Sequence, residues 1–540
     1  MKHYMPQISW HDRSAILSVD FQLDQTKLDS NRYKLVTSSV AREVRVWEFG
    51  FDTDEKVEPG AKPALAVDFV ANLIAHQFAV NVVRFSPSGL KLASGDSDGL
   101  ICIWHVNHSS APDIFANEDM PPNKENWMVA KRLFGHVKEV CDLCWSPDGS
   151  LIASVSVDKS LIIYNAETGK NLRILKDYKQ FPNGVCWDPR GKYVVTMSTD
   201  REMHIVNASS QKFARLRRVT KAELPQLPIC NAEAGTFKLF HDDQLMTFVR
   251  SADFSADGEL LIVPSGLLEF DDEAISVSYV FLRGNLECPV AVLPCSSPTY
   301  VARCCPVLFD LRKDDEDENF LQLPHRVVFA LLTKDSVLLY DSQHALPFAF
   351  VDSIHYSNLT DIAWSPDGRV LLVSSTDGYC SFIRFDPNEL GQRAVKIATP
   401  PPSPLPLPSK TPNRPRVTPK PINTPDGLKS SSKSAAKVAE SGATPPTANV
   451  TTPKTRTLLR FLKKPTDSPL ERSKLKEAES AVVGESPAAS SADPKSSVDS
   501  TPPVIASEAA EKQPRRVQLI SLVPASANPV VVTRKTDDQH

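Results

Sequence analysis

The segment Val140-Cys-Asp-Leu-Cys-Trp-Ser-Pro-Asp-Gly-Ser-Leu-Ile-Ala-Ser-Val-Ser-Val-Asp-Lys-Ser-Leu-Ile-Ile-Tyr164 contains the pattern from which the fold can be inferred. Its first apolar part ends on Trp145, and the Ser-Pro-Asp-Gly that follows has the residues of a tight turn. A second apolar part begins at Leu151, and a third ends at Tyr164 after a polar turn that contains Asp158. Three short strands joined by tight turns predict part of an antiparallel sheet.

The same pattern recurs along the chain. An aromatic residue followed by a Ser-Pro-Asp-Gly-like turn occurs at Phe85–Gly89, Trp145–Gly149, Trp187–Gly191, Phe254–Gly258 and Trp364–Gly368. In four of these units an Asp precedes the end of the third strand by six positions, namely Asp98, Asp158, Asp200 and Asp377. The 42 residues from Trp145 to Trp187 match the repeat length of a WD40 blade, which is about 40–45 residues.

Two weaker units complete the array. Ala15–Phe21 with Val44–Trp47 forms one at the front, and Val327–Thr333 with Asp335–Tyr340 forms another in the long gap after Phe254. Each four-stranded blade leaves apolar faces that only neighbouring blades can cover, so the array closes into a ring. The predicted fold is an all-β, seven-bladed WD40 propeller over residues 1–390.

The remainder, residues 391–540, has a different composition. From Thr399 onward, 142 residues contain 23 of the 44 Pro and a single aromatic residue, Phe461, which is too little apolar surface for a core. This part has 21 Lys and Arg against 13 Asp and Glu, whereas the preceding part has 40 against 52. We therefore expect a long disordered Pro/Ser/Thr-rich basic tail attached to an acidic propeller.

Several classes of protein are disfavoured by the totals. No stretch approaches the run of about 18 apolar residues that a membrane helix needs, and the N-terminus has no signal-peptide pattern. Cys141 and Cys144 form a C-x-x-C, but no second pair completes a zinc set. We expect an intracellular protein with buried thiols, no metal and no cofactor.

Two sets of polar residues resemble catalytic constellations. They are His76, Ser94, Asp98 and Trp104 in one unit and His136, Ser154, Asp158 and Tyr164 in the next. A catalytic triad occurs once, whereas structural hydrogen-bonded tetrads repeat from blade to blade. We interpret both sets as structural tetrads, expect no catalytic residue, and do not expect an enzyme. The first blade has Ala41 where the Asp is expected, so its turn must be held differently.

Two further patterns allow two interpretations each. The acidic run of Asp314, Asp315, Glu316, Asp317 and Glu318 is either a solvated loop or a contact for a basic partner. Ten Ser/Thr-Pro sites are candidate phosphosites or a by-product of Pro-rich composition. They are Thr399, Ser403, Thr411, Thr418, Thr424, Thr444, Thr452, Ser468, Ser486 and Thr501.

Two segments of the tail contain apolar residues beside basic ones. Thr457–Lys464 is compatible with a docking helix or an import signal. The second segment, Arg515–Leu522, is called the tail box below and combines Arg515, Arg516, Val517, Leu519 and Leu522. A tail without a core leaves these side chains free for a partner, and alternation in an extended strand suits addition to a sheet edge.

The segments outside the repeat carry a resemblance to a known family. They are Asn123–Trp127, Phe240–Asp243, Ala302–Val307, Asp335–Asp341 and Ser375–Phe382. From Ile8 to about Phe385 the chain resembles the WD40 subunit (the middle, or B, subunit) of chromatin assembly factor 1. The resemblance implies a nuclear, non-catalytic scaffold in a histone chaperone that deposits histones H3 and H4 on DNA during replication and repair. Its implied partners are the large and small subunits of that factor and the histones, reached directly or through the complex.

The resemblance also assigns roles to the motifs. Arg515–Leu522 is similar to the family's B-domain box, which binds the anti-silencing-function histone chaperone, and the acidic run at 314–318 becomes a candidate histone contact. A propeller as acidic as this one is not expected to bind DNA strongly by itself. The alternatives are the replication-independent histone-regulator propellers and a generic adaptor such as a ubiquitin-ligase receptor. Trp187–Arg190 resembles the W-D-x-R box of such receptors, but it occupies a first-strand turn.

Overall fold

The computed structural model describes residues 1–23, 32–51, 65–108, 121–210, 212–225, 234–270, 273–312, 319–386 and 389–394, and the backbone of 519–520. Within those ranges every regular secondary-structure element is a β-strand. The first strand, β1 (Lys2–Tyr4), belongs to the last blade. Blade one contains β2 (Ile16–Phe21), β3 (Arg32–Ser39), β4 (Val44–Phe51) and β5 (Leu65–Leu73). Blade two contains β6 (Val80–Phe85), β7 (Lys91–Asp96), β8 (Ile101–Val106) and β9 (Trp127–Leu133).

The next two blades follow the same order. Blade three contains β10 (Val140–Trp145), β11 (Leu151–Ser156), β12 (Ser160–Asn165) and β13 (Asn171–Leu175). Blade four contains β14 (Pro182–Trp187), β15 (Tyr193–Ser198), β16 (Glu202–Asn207) and β17 (Arg215–Val219). A separate hairpin of β18 (Lys221–Leu224) and β19 (Gly235–Lys238) precedes blade five.

The last three blades depart from the simple pattern. Blade five contains β20 (Asp253–Phe254), β21 (Leu260–Phe270), β22 (Glu273–Leu282) and β23 (Ala291–Pro294). Blade six contains β24 (Val301–Phe309), β25 (Arg326–Leu332), β26 (Ser336–Asp341), β27 (Ala349–Asp352) and, from far along the chain, β31 (Leu519–Ile520). Blade seven contains β28 (Leu359–Trp364), β29 (Val370–Ser375), β30 (Cys380–Arg384) and β1. The seven-bladed propeller predicted from the repeats is confirmed.

The ring is closed by its N-terminal strand. β1 is the outermost strand of blade seven and pairs with β30, with Lys2 opposite Arg384. The amino group of Met1 lies 2.6 Å from Oε2 of Glu389, which ties this strand to the chain that leaves β30. The innermost strands lie beside one another in chain order, and β2 of blade one contacts β28 of blade seven. The repeats did not predict β1, because three polar residues carry no blade pattern.

The repeated turn has the geometry that its residues favour. In blade seven the Ser365 hydroxyl donates to Oδ1 of Asp367 at 2.6 Å, and the Gly368 amide donates to the Ser365 carbonyl at 2.8 Å. Gly368 has a φ of 70°, a left-handed conformation in which a side chain would be strained. The turn therefore needs Ser, Asp and Gly at these positions for reasons internal to the hairpin.

The aromatic residue before the turn joins neighbouring blades. Indole Nε1 of Trp145 in blade three donates to the carbonyl of Arg84 in blade two at 3.0 Å. Trp364 in blade seven makes the same 3.0 Å bond to the carbonyl of Arg303 in blade six. Apolar clusters also span adjacent blades, as where Val328 of blade six and Leu371 of blade seven share one core. The core thus consists of the layers between blades.

Candidate functional sites

The tetrad of blade two contains a different acid from the one expected. His76 Nδ1 lies 2.9 Å from Oδ2 of Asp96, and His76 Nε2 lies 2.6 Å from Oγ of Ser94, which also accepts the indole N–H of Trp104 at 2.8 Å. Asp98, the expected acid, is exposed in the turn. Ser94 and Asp96 are two positions apart on β7, so their side chains leave the same face of the strand and reach the same imidazole. Asp96 replaces Asp98 as a correction to the sequence interpretation.

The four residues that the sequence grouped as a tetrad in blade three lie together in the structure. His136 Nδ1 lies 3.0 Å from Oδ2 of Asp158, and its Nε2 lies 2.8 Å from Oγ of Ser154. The Tyr164 ring packs edge-on against the imidazole, with centroids 6.3 Å apart. Burial alone would favour the neutral acid at Asp158, but the hydrogen bond and charge of His136 prevail and lower its pKa to about 2. This carboxylate stays ionised and holds the loop before β10.

Blade seven contains a His–Asp pair that the sequence analysis missed. His355 Nδ1 lies 3.0 Å from Oδ2 of Asp377, and the Tyr356 amide donates to the same oxygen at 3.2 Å. His355 precedes Asp377 by 22 positions, the same interval as from His136 to Asp158. This interval was the available signal, and it recurs because both pairs join the loop before the inner strand to the turn after the second strand.

Blade one holds its turn with an arginine where the acid is missing. The Arg45 guanidinium, 3 % exposed, donates to the carbonyl of Trp10 at 2.9 Å and pairs with Asp12 at 2.9 Å and Glu43 at 2.7 Å. Thr37 still accepts the indole N–H of Trp47, as the serine does in blade two. A cation therefore replaces the usual acid, and carboxylates from both flanking loops surround it.

A second polar arrangement lies on the innermost strands, and we call it the axial ring. It consists of Asp20, Asp142, Asp253 and Asp361 with Arg84 and Arg303, joined by Ser18 and Ser251. Each of the four aspartates accepts a backbone N–H from the next blade: Phe85 to Asp20 at 2.7 Å, Val185 to Asp142 at 3.1 Å, Cys304 to Asp253 at 2.8 Å, and Val19 to Asp361 at 3.3 Å. The ring therefore fixes the inner strand of one blade to that of the next.

Through Asp361, the two arginines connect blades two, six and seven. Arg84 of blade two reaches Oδ2 of Asp361 in blade seven at 2.9 Å, and Ser18 of blade one bridges the two. Arg303 of blade six reaches Oδ1 of the same carboxylate at 3.3 Å. Burial opposes ionisation of Asp361, but the two guanidinium charges lower its pKa below the ordinary value. Asp20 has less compensation, and burial raises its pKa to about 6.

These constellations are structural in their geometry. The His136–Asp158 and His355–Asp377 pairs lie at equivalent places in their blades, and the charged groups of the axial ring pair with one another. Burial raises the pKa of the Cys141 and Cys144 thiols, so both are held as neutral groups inside blade three. Across the residues that the structure describes, no group of three or more His, Cys, Asp and Glu side chains is placed to hold a metal ion. The same residues include no helix with the length and apolar character to cross a membrane.

Comparison with known proteins identifies the family. The sequence profile of the "CAF1B/HIR1 beta-propeller domain" matches residues 1–390. The chain belongs to the CAF1B/HIR1 propeller family. The B subunit of mouse chromatin assembly factor 1 is 38% identical over 405 residues, covering 72% of this chain and 68% of the mouse protein. The chicken protein of the same name is 39% identical over 403 residues, covering 72% and 69%.

A second kind of relative in the CAF1B/HIR1 family is less similar. Protein HIR1 of Kluyveromyces lactis is 27% identical over 374 residues, covering 67% of this chain and 41% of that protein. The recognition made from the non-repeat segments is therefore confirmed. In this CAF1B/HIR1 propeller two of those segments make structural contacts: Phe240 is fully buried edge-on against Tyr279, and Arg303 belongs to the axial ring. Buried Arg250 holds the following loop by donating to the carbonyl of His241 at 2.7 Å.

Several predicted sites of this CAF1B/HIR1 chain lie outside the described residues. They are the acidic run of Asp314, Asp315, Glu316, Asp317 and Glu318 and all ten Ser/Thr-Pro positions. Of the tail box, Arg515, Arg516, Val517 and Leu522 also lie outside, whereas the backbone of Leu519 is described as part of β31. Trp187 ends the innermost strand of blade four, and Arg190 in the next turn donates to the Asp257 carbonyl at 2.7 Å. This part of the W-D-x-R-like sequence therefore serves blade packing.

Proposed function

We propose that this protein is the non-catalytic scaffold subunit of a nuclear histone chaperone that deposits histones H3 and H4 on DNA during replication and repair. The observation that carries the proposal is the 38–39% identity to the B subunits of mouse and chicken chromatin assembly factor 1 over 72% of the chain. In this role the propeller docks the large subunit of the complex. Its tail box recruits the anti-silencing-function chaperone that supplies H3–H4.

The chemistry of the two parts supports this division of labour. The propeller's polar constellations are buried and satisfy one another, which suits a rigid platform rather than a reacting site. The tail box combines two arginines with apolar residues at alternate positions, the pattern of a segment that adds to a sheet edge and meets carboxylates at its rim. The tail is basic and the propeller is acidic, which also fits two parts with different roles.

The test is affinity purification of the full chain from dividing cells, with the partners identified by mass spectrometry. The double variant Arg515→Ala/Arg516→Ala is expected to lose the anti-silencing chaperone and to keep the large subunit. The matched control, Lys463→Ala/Lys464→Ala, removes two positive charges elsewhere in the tail and is expected to keep both. Undiminished chaperone recovery with the arginine variant would overturn the role of the box.

The same purification tests the scaffold role. Recovery of the large and small subunits of chromatin assembly factor 1 from replicating cells supports the proposal. Recovery of replication-independent histone-regulator proteins or of cullin adaptors in their place would overturn it and assign the propeller to one of those assemblies.

A further inference from the structure

The outer edge of blade six pairs with a strand from the tail. Leu519 and Ile520 form β31, which lies antiparallel to β27 with Val351 opposite Leu519 and Phe350 opposite Ile520. The other edge of β27 pairs with β26, where Val337 lies opposite Val351. Blade six is thus five-stranded, whereas each of the other six described blades has four strands. A tail segment therefore occupies an edge that would otherwise expose backbone N–H and C=O groups.

The composition of β27 suits it to accept a strand. Edge strands are commonly protected by charges or proline. β9, β13 and β17 carry basic residues, and β23 ends in Pro294. β27 reads Ala-Phe-Val-Asp, so its one charge is at its end. Val351 is fully buried in the core and Phe350 packs on a second apolar cluster, which fixes the backbone of this edge.

Negative charge at one end of β27 complements the two arginines of the tail box. Oγ of Ser336 lies 2.8 Å from Oδ1 of Asp335 and 3.1 Å from Oδ1 of Asp352, so two carboxylates meet at this end. A strand continued back from Leu519 in the observed antiparallel register runs toward them. In the sequence, Arg515 and Arg516 precede Leu519 by four and three positions. Basic and acidic pairs would thus meet in this register.

The chain also leaves the propeller on blade six. The amide of Ala394 donates to the carbonyl of Leu308 in β24 at 2.9 Å, and the amide of Asp310 donates to the carbonyl of Gln392 at 2.9 Å. The tail that continues from Ala394 is therefore tethered to the blade whose edge Leu519 and Ile520 meet. A tether raises the effective concentration of the segment at that edge without any new contact.

We propose that the edge of β27 is a docking site for the tail box in cis, and that this contact withholds the box from its partner. The last step rests on the proposed function, because the partner is the chaperone that the box recruits. Leu519 belongs to both contacts, so a box held on β27 is not available for the other sheet. The propeller would then act as a reversible cover of its own recruiting arm.

The cis contact is tested on the full chain by hydrogen–deuterium exchange and mass spectrometry. The double variant Leu519→Pro/Ile520→Pro removes two strand N–H groups. It is expected to speed exchange at residues 349–352 by about threefold or more, because their outer edge loses its partner. The matched control Leu458→Pro/Leu459→Pro changes another apolar pair of the tail and is expected to leave those residues unchanged. Equal exchange in parent and both variants would overturn the proposal.

The masking effect is tested by chaperone binding to the full chain with an intact box. Asp352→Lys places a positive charge where the arginines would dock and is expected to tighten chaperone binding about threefold to tenfold, because the open fraction of the box rises. The control Asp68→Lys makes the same charge change on the exposed outer strand of blade one and is expected to bind like the parent. Unchanged affinity in Asp352→Lys would overturn the masking.

A synthetic peptide of residues 511–526 separates the two proposals. It has no propeller to cover it, so its affinity for the chaperone is expected to equal or exceed that of the Asp352→Lys chain. A peptide with no chaperone affinity would overturn the proposed function of the box. The exchange experiment decides the contact with β27 independently, since it contains no chaperone.

Discussion

Nη1 of Arg84 lies 2.9 Å from Oδ2 of Asp361, across 277 positions of sequence. The two residues belong to blades two and seven, which both flank blade one, so this ion pair spans the point where the ring closes. Oδ1 of Asp142 in blade three lies 3.8 Å from the same guanidinium. One side chain thus neutralises carboxylates of two other blades, and the closure depends on a charge as well as on the N-terminal strand.

Replacing Arg84 is expected to destabilise the propeller strongly. Arg84→Met removes one of the two guanidinium groups that act on Asp361, and breaking a buried ion pair by removing one partner costs about 3–5 kcal/mol. Chemical denaturation followed by tryptophan fluorescence measures the free energy of unfolding. The control Arg132→Met removes an exposed arginine from β9 and is expected to change that energy by less than about 0.5 kcal/mol.

A second variant separates charge from packing at this site. Asp361→Asn in the Arg84→Met background removes one of the carboxylates that lost its guanidinium partner. The double variant is therefore expected to lose less unfolding free energy than the sum of the losses in the two single variants. If Arg84→Met proves no more harmful than Arg132→Met, the ion pair does not hold the closure.

The two acids at the second turn of blade two are expected to differ sharply. Asp96→Ala removes the partner of His76 and the acceptor of the Asp98 and Leu100 amides, at 2.9 and 3.0 Å, and is expected to cost about 1–3 kcal/mol of unfolding free energy. Asp98→Ala changes an exposed side chain and is expected to cost less than about 0.5 kcal/mol. Thermal unfolding of the two variants side by side makes the comparison, and a larger loss for Asp98→Ala would reject the assignment.

Asp20 is expected to make stability depend on pH. Burial raises its pKa from 3.8 to about 6, so the folded state favours the neutral acid. The stability contributed by the neutral form is fully present below about pH 4 and is lost as the pH rises through about 6. Asp20→Asn mimics the neutral form. At pH 8 its free energy of unfolding is expected to be about 1–2 kcal/mol higher than that of the parent. The carboxylate accepts the Phe21 amide on Oδ1 and the Phe85 amide on Oδ2, whereas the side chain of Asn has one acceptor oxygen, which limits this gain.

The measurement is the free energy of unfolding of both proteins from pH 4 to pH 8. The advantage of Asp20→Asn is expected to vanish toward pH 4, where the parent is also neutral at this position. Asp68→Asn, on an exposed strand, serves as the control for the substitution itself. A constant difference between parent and Asp20→Asn across the range would contradict the raised pKa.

Prediction from sequence succeeded where the determining contacts are local. Ser365, Asp367 and Gly368 form their turn with one another, so the motif can be recognised wherever it occurs. The spacing of six positions before the end of the third strand found Asp158 but selected Asp98 in blade two, where Asp96 of β7 reaches the imidazole instead. Counting positions cannot choose between two acids that lie two positions apart near the same turn. That choice depends on strand geometry.

The number of blades, the positions of the five repeated turns and the separation of an acidic body from a basic arm all follow from the amino-acid sequence. These features depend on hairpins whose interacting residues lie close together in the chain. The folded ring was needed to establish that β1 closes blade seven, that Arg84 meets Asp361, and that Leu519 lies opposite Val351. Those partners are brought together by ring closure and by an open sheet edge, and neither leaves a periodic signal in the residues that it joins.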